Sequence, residues 1–125
     1  MGTIRTILIV DDEPSNLDLL EAILEISMKG VRLIKACDGE EAVTICEKEQ
    51  DIDIILMDMK MPIMSGLDAA KIIKTFLDVP IVCMSAFEKD VLEKLENPFD
   101  FSIPKPIMDS NYLLIKIEEI YAKKQ

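Results

Sequence analysis

Five polar side chains stand where short apolar runs of the sequence end: Asp11, Asp12, Asp58, Ser85 and Lys105. Three carboxylates that converge repel one another, and a hard divalent cation with oxygen ligands, such as Mg²⁺, relieves that repulsion. A lysine and a hydroxyl nearby supply donors to the oxygens of a tetrahedral anion. If the fold brings these residues together, their types suit phosphoryl transfer.

The residue types that are missing narrow the choice of nucleophile. The sequence has no histidine, which excludes Ser-His-Asp and Cys-His triads, histidine metal sites and a phosphohistidine on this chain. Cys37, Cys46 and Cys83 form no C-x-x-C pair, and we interpret them as free thiols of a reducing compartment. The nucleophile is then a carboxylate, and aspartyl phosphate is an established covalent form.

Alternating strand and helix patterns must position these residues. The run from Thr6 to Val10 is almost continuously apolar, which indicates a strand buried on both faces. Four further short apolar runs, each followed by a helical period, are predicted at residues 31–36, 52–57, 81–84 and 101–103. Five such units predict an α/β fold, a doubly wound parallel sheet of five strands with five helices on its two faces. Ligands of such sheets bind at the carboxyl ends of the strands, where the five polar side chains stand.

Length and charge limit the function classes. The 125 residues predict one domain over residues 1–125. With 14 basic and 24 acidic residues the formal net charge is −10, which argues against direct nucleic-acid binding and against an anionic membrane surface. The apolar runs are too short to cross a bilayer. No signal-peptide pattern opens the sequence, so we expect a cytoplasmic protein.

Four motifs carry a resemblance to a known family. They are Ile-Leu-Ile-Val-Asp11-Asp12-Glu13-Pro14, Ile-Leu-Met-Asp58-Met-Lys-Met-Pro62, Ser85-Ala86 and Lys105-Pro106. In order and spacing they resemble the receiver domain of two-component response regulators, and the likeness to this chemotaxis-regulator-like family covers essentially the whole chain. It implies a flavodoxin-like fold with strand order 2-1-3-4-5.

The resemblance also implies a role for each site residue. Asp58 would accept a phosphoryl group from a phosphohistidine of a histidine kinase or a phosphotransfer protein. Asp12, Asp58 and the backbone carbonyl of Lys60 would bind Mg²⁺, with Asp11 acting through a metal-bound water. Lys105 would pair with the phosphoryl oxygens, and Ser85 would move to hydrogen-bond them. The chain would then be a phosphoacceptor signalling domain that catalyses its own phosphorylation and slow dephosphorylation, and not a conventional enzyme.

Two features concern the signal itself. The family usually has an aromatic residue three positions before its lysine, where this chain has Ser102, with Phe101 beside it. Either the fifth strand is shifted by one residue, so that Phe101 takes the switch role, or the aromatic part of the switch is lost. The switched face, made by the fourth helix, fifth strand and fifth helix, would bind a downstream protein. Lys60 and Phe87 are expected to flank the path of the hydrolytic water and to slow phosphate loss.

Alternatives remain within and outside the family. Within the family, three alternatives stay open: a free-standing regulator that acts by protein contact, a phosphorelay shuttle, and a receiver domain excised from a hybrid histidine kinase. The Asp-Asp-Glu-Pro-Ser-Asn-Leu start and the Met-Lys-Met-Pro-Ile-Met loop most resemble receivers of hybrid kinases and relays. An aspartate-nucleophile phosphohydrolase would have an Asp-x-Asp pair after its first strand, and Asp11-Asp12-Glu13 lacks that spacing. A phosphate-independent binding module is disfavoured by the complete acidic set. Steady turnover of a phosphomonoester would indicate the hydrolase, and failure to label with acetyl phosphate would indicate the binding module.

Overall fold

The structure, a computed structural model, describes residues 3–85, 98–105 and 109–124. Its strands are β1 (Thr6–Val10), β2 (Arg32–Ala36), β3 (Ile54–Asp58), β4 (Ile81–Ser85) and β5 (Phe101–Pro104). The helices of the described part are α1 (Pro14–Ser27), α2 (Gly39–Lys48), α3 (Gly66–Ile73) and α4 (Ser110–Lys124). The helix that the sequence predicts between the fourth and fifth strands lies outside the described residues.

All five strands run parallel in one sheet with the order β2-β1-β3-β4-β5. The predicted fold class and strand order are therefore confirmed. In the register of the sheet Val10 lies opposite Met57, and Asp58 lies opposite Met84. The carboxyl ends of β1, β3 and β4 are thus almost level, so the residues that end these strands meet at one edge.

The central strands are apolar because helices cover both of their faces. Every residue of β1 and β3 is buried. Alternate residues point to opposite sides of a strand, so Leu8 and Val10 pack toward α2 and α3, whereas Ile7 and Ile9 pack toward α1 and α4. Two separate apolar clusters, one on each face, hold the sheet in place.

The loops at the carboxyl edge are fixed by local hydrogen bonds. The Asp38 side chain accepts from the Glu41 amide at the start of α2, and Ser65 Oγ accepts from the Asp68 amide at the start of α3. Such N-caps satisfy backbone amides that have no partner within the helix. The Gly39 amide donates to the Met64 carbonyl, which ties the loop before α2 to the loop before α3.

Small differences from the predicted boundaries concern the strand ends. β3 begins at Ile54 and includes Asp58, whereas the apolar run predicted residues 52–57 with the aspartate just beyond. The side chain of Asp53, before β3, accepts from the amides of Arg5 and Thr6, so it supports the start of β1. The apolar run predicts where the strand lies, but the strand also includes the polar residue Asp58 at its end.

Candidate functional site

The three acidic residues predicted for the site converge. Asp11 leaves β1, Asp12 follows it, and Asp58 ends β3; Asp11 and Asp58 are buried and Asp12 is exposed. One carboxylate oxygen from each of the three lies within 4.8 Å of the others. This arrangement follows from the level ends of neighbouring parallel strands.

Lys105 joins the cluster from the end of β5. Its Nζ lies 3.0 Å from Asp11 Oδ2 and 3.2 Å from Asp58 Oδ1, so one ammonium bridges the two buried carboxylates. Among the residues that the structure describes, three carboxylates and one ammonium meet here, so negative charge is in excess. Such a set of groups favours a bound cation.

The pKa values of Asp58 and Lys105 reflect burial and the charges around them. Burial, followed by the negative charge of Asp11, raises the pKa of the Asp58 carboxyl above its ordinary value, although Lys105 opposes the shift. Burial lowers the pKa of Lys105, but its hydrogen bonds and charge interactions with Asp11 and Asp58 outweigh burial and leave it raised. Hard oxygen donors under mutual repulsion are the kind of ligand set that suits Mg²⁺.

Asp58 is also held from the chain that follows it. The Met59 amide donates to Asp58 Oδ1 at 2.9 Å. The Gly66 amide donates to the Met59 carbonyl, and a Cβ atom at Gly66 would overlap the Asp58 carbonyl oxygen. Glycine therefore lets the start of α3 press against the backbone of Asp58, which fixes the position of the carboxylate.

Asn16, in the first turn of α1, was not predicted as a site residue. Its Nδ2 donates to Asp11 Oδ2 at 3.2 Å, while the Glu13 amide donates to Asp11 Oδ1 at 2.9 Å. The only signal in the sequence is a short amide residue one helical turn beyond an acidic strand end. Such a residue is common in first helical turns without any site, so sequence reasoning passed over it.

Of three further predicted site residues, Lys60, Ser85 and Phe87, the structure describes Lys60 and the backbone of Ser85. Lys60 is exposed in the loop between β3 and α3, two residues beyond Asp58. Ser85 ends β4 opposite Pro104 in the register of the sheet. The side chain of Ser85 and the whole of Phe87 lie outside the described part of the chain, so their predicted roles stay predictions.

β5 places Phe101 and Ser102, the two residues named for the switch position, on opposite faces of the sheet. Ser102 lies opposite Cys83 in the register and is 5% exposed. Phe101 points to the other face, where it packs half-buried against the cluster under α1 and α4, with Lys116 Nζ 5.5 Å from its ring centre. Phe101 therefore does not share the face on which Ser102 is buried, and the buried position three residues before Lys105 carries no aromatic ring. A switch role of Phe101 stays a prediction.

Comparisons with known proteins agree with this geometry. A family model, the response regulator receiver domain, matches residues 7–118. The transcriptional regulatory protein CpxR of Escherichia coli (strain K12) is 35% identical over 105 residues, which are 82% of this chain and 44% of CpxR. The autoinducer 1 sensor kinase/phosphatase LuxN of Vibrio campbellii is 38% identical over 106 residues, which are 81% of this chain and 12% of LuxN. The chain thus spans less than half the length of these two curated relatives.

Solved structures match the chain along most of its length. A CheY-like receiver domain protein from Methanospirillum hungatei JF-1 has a TM-score of 0.82 and 28% identity, covering 98% of this chain and 97% of that chain. The receiver domain of Ssk1 from Saccharomyces cerevisiae, co-crystallised with the histidine phosphotransfer signaling protein Ypd1, has a TM-score of 0.84 and 26% identity, covering 98% of this chain and 92% of that chain. Within the described residues, no helix is both long and apolar enough to span a membrane. The chain belongs to the response regulator receiver domain family, the signalling domains of two-component systems.

Proposed function

We propose that Asp58 accepts a phosphoryl group from a phosphohistidine of a histidine kinase or phosphotransfer protein, in the presence of Mg²⁺. The observation that carries this proposal is the single ammonium of Lys105 shared between Asp11 and Asp58, beside the exposed Asp12. A nucleophilic carboxylate, a cation for the phosphoryl oxygens and a metal-ligating pair lie together at one edge. We also propose that residues 1–125 act as one receiver domain.

The transfer needs few groups from this chain. An oxygen of the Asp58 carboxylate attacks phosphorus, and a P–O bond forms as the P–N bond of the phosphohistidine breaks. The electron pair of that bond goes to the donor's imidazole nitrogen, and the ring leaves as neutral imidazole when its other nitrogen carries a proton. The Met59 amide keeps Asp58 oriented, and Lys105 pairs with the oxygens of the transferred group.

The residues present fit a bound magnesium ion. Three carboxylate oxygens lie within 4.8 Å of one another, and the raised pKa of Asp58 shows that Lys105 alone does not offset burial and repulsion there. Asp12, Asp58 and the backbone carbonyl of Lys60 would hold the ion, with Asp11 acting through water. When bound, Mg²⁺ neutralises negative charge on the phosphoryl oxygens.

The outer face of α1 offers a surface for the phosphodonor. The helix begins two residues after Asp12, and Leu19 and Ile26, seven residues apart and so on one helical face, are 50% and 76% exposed. An apolar stripe that leads away from the site suits a donor protein whose histidine must reach Asp58. The complex of the Ssk1 receiver domain with Ypd1 supports a phosphotransfer protein as that donor.

The face of α4 and β5 is the proposed contact for a downstream protein. Tyr112 and Ile115 of α4 are 41% and 56% exposed. Lys116 Nζ lies 5.5 Å from the ring centre of the half-buried Phe101 and 5.6 Å from that of Tyr112, so the two rings are neighbours. The net charge of −10 favours a protein target over nucleic acid or an anionic membrane. We also infer a cytoplasmic location, because the free and buried thiol of Cys46 suits a reducing compartment.

One further candidate concerns the protein context. LuxN, a sensor kinase/phosphatase, matches this chain over only 12% of its own length, which supports a receiver domain within a hybrid kinase or a relay. A relay receiver passes its phosphoryl group on to a second phosphotransfer protein. Transfer from the labelled protein to such a partner would distinguish a relay from a regulator that acts through its own α4 face.

The central experiment is Mg²⁺-dependent labelling. The protein is incubated with acetyl phosphate and Mg²⁺, and intact mass should show one added phosphoryl group that hydroxylamine removes. Asp58→Asn should abolish the added mass, whereas the exposed Asp68→Asn serves as a matched control and should label normally. Equal labelling of Asp58→Asn would overturn the assignment. Steady phosphate release from phosphomonoesters would instead indicate a hydrolase.

A further inference from the structure

The buried Asp11 carboxylate has two donors on one of its oxygens. Oδ2 accepts from Lys105 Nζ at 3.0 Å and from Asn16 Nδ2 at 3.2 Å, and Oδ1 accepts from the Glu13 amide at 2.9 Å. Asp11 is only 3% exposed. Bulk solvent therefore reaches little of this carboxylate, and three protein donors fix the position of its two oxygens.

The surroundings make an unpaired oxygen unfavourable. Asp11, Asn16 and Lys105 border a cavity of about 50 Å³ whose other walls include Val10, Leu20 and Met84. A carboxylate oxygen that loses a donor among apolar walls loses solvation as well as a hydrogen bond. Whichever donor leaves Asp11 Oδ2, the other becomes more important.

The proposed function requires one of these donors to leave. Lys105 contacts Asp11 and Asp58 at the same time, so it cannot turn fully to a phosphoryl group on Asp58 without weakening its bond to Asp11. We propose that Asn16 is a positioning residue for phosphoryl transfer, whose amide holds Asp11 in place when Lys105 turns to the phosphoryl group. This inference rests on the proposed role of Asp58.

The helix explains why Asn16 can do this. Pro14 is the first residue of α1, and the backbone N–H of Asn16 donates to the Glu13 carbonyl at 3.0 Å. The first helical turn therefore fixes the backbone from which the Asn16 side chain reaches Asp11. An amide side chain supplies a neutral donor. It donates a hydrogen bond to Asp11 without adding positive charge to the site. A second lysine in its place would add a positive charge that competes with a bound cation.

A double-mutant cycle tests the compensation without any transfer reaction. The free energy of unfolding is measured in chelator for the wild type, Asn16→Leu, Lys105→Met and the double variant. If Asn16 satisfies Asp11 in the absence of Lys105, Lys105→Met destabilises the Asn16→Leu background more than it destabilises the wild type. Purely additive losses would overturn the proposal.

Labelling kinetics test the positioning role. At saturating Mg²⁺, the rate of labelling by acetyl phosphate should fall roughly tenfold in Asn16→Leu, the range seen when groups that orient metal-site ligands are removed. Asn16→Gln, which keeps the amide, should restore most of the rate, and Ser15→Ala, exposed on the same turn, should match the wild type. An unchanged rate in Asn16→Leu, or an equal loss in Asn16→Gln, would overturn the proposal.

Two further comparisons keep the outcomes separate. If Asn16→Leu does not fold, Asn16→Asp decides instead, because it keeps the shape of the side chain, removes the donor and should also label more slowly. If the wild type itself does not label at Asp58, the proposed function fails. If the wild type labels and the Asn16 variants label equally well, the inference about Asn16 fails alone.

Discussion

At the scale of single residues, the ionised carboxylate of Asp58 lowers the stability of the metal-free protein. Asp58 is buried beside Asp11, and the only ammonium in contact with them among the described residues is that of Lys105. The raised pKa of Asp58 means that the folded protein disfavours its ionised form. The proposed function needs that ionised form as nucleophile and metal ligand, so it makes a demand on this carboxylate that is opposite to that of stability.

Asp58→Asn should therefore stabilise the metal-free protein at neutral pH, by about 1 kcal/mol. Because the folded state holds the Asp58 proton more tightly than the unfolded chain does, wild-type stability declines as pH rises above the ordinary aspartate pKa. The decline is complete once pH exceeds the raised pKa, and the advantage of the variant grows over the same window.

Urea unfolding in chelator, repeated from acidic to neutral pH, measures this difference. Asp68→Asn, which replaces an exposed aspartate, controls for the loss of a charge from an acidic protein. An Asp58→Asn variant less stable than the wild type at neutral pH would contradict the prediction, because it would show that Lys105 outweighs burial and repulsion.

At the scale of elements, β5 combines a buried strand with an unusual residue. The Ser102 hydroxyl is buried and finds no hydrogen-bond partner among the residues that the structure describes. A buried hydroxyl without a partner is unfavourable. The strand nevertheless keeps its register, since Ile103 is buried on the opposite face and Lys105 reaches both carboxylates.

Ser102→Ala should raise the free energy of unfolding by about 1 kcal/mol, because it removes a desolvated hydroxyl and leaves no large cavity. Ser65→Ala is the matched comparison: Ser65 Oγ caps α3, so its loss should lower the free energy of unfolding by about 1 kcal/mol. Denaturant unfolding of both variants checks the opposite signs. Destabilisation by Ser102→Ala would mean that the hydroxyl has a partner in the folded protein.

The elements show where sequence reasoning succeeds. The five strands were predictable because runs such as Thr6 to Val10 are apolar throughout, as strands covered on both faces must be. The convergence of Asp11, Asp58 and Lys105 followed, since parallel strands end at one edge. The contact of Asn16 with Asp11 depends on the entry angle of α1 and on a side-chain rotamer, and periodicity carries no information about either.

At the scale of the whole molecule, one edge of the sheet couples the site to the stability of the entire domain. Asp11 directly follows β1 and Asp58 ends β3, and both strands adjoin both apolar clusters, so a ligand bound between the two carboxylates holds the centre of the sheet together. The unfolded chain does not bring these carboxylates together and so should bind Mg²⁺ only weakly. Any ligand that prefers the folded state stabilises it by mass action.

Mg²⁺ at a hundred times its dissociation constant should therefore stabilise the wild type by about 2.7 kcal/mol, which raises Tm by roughly 10 °C for a domain of this size. Asp12→Asn should lose most of this gain. Asp12 is exposed, so its replacement should leave the metal-free fold almost unchanged, and thermal unfolding with Mg²⁺ and in chelator separates the two effects.

Sodium chloride at matched ionic strength controls for the screening of repulsion in a chain of net charge −10. An equal rise of Tm in Asp12→Asn, or an equal rise with sodium chloride, would show that Mg²⁺ acts on the general negative charge and not at the edge formed by Asp11, Asp12 and Asp58.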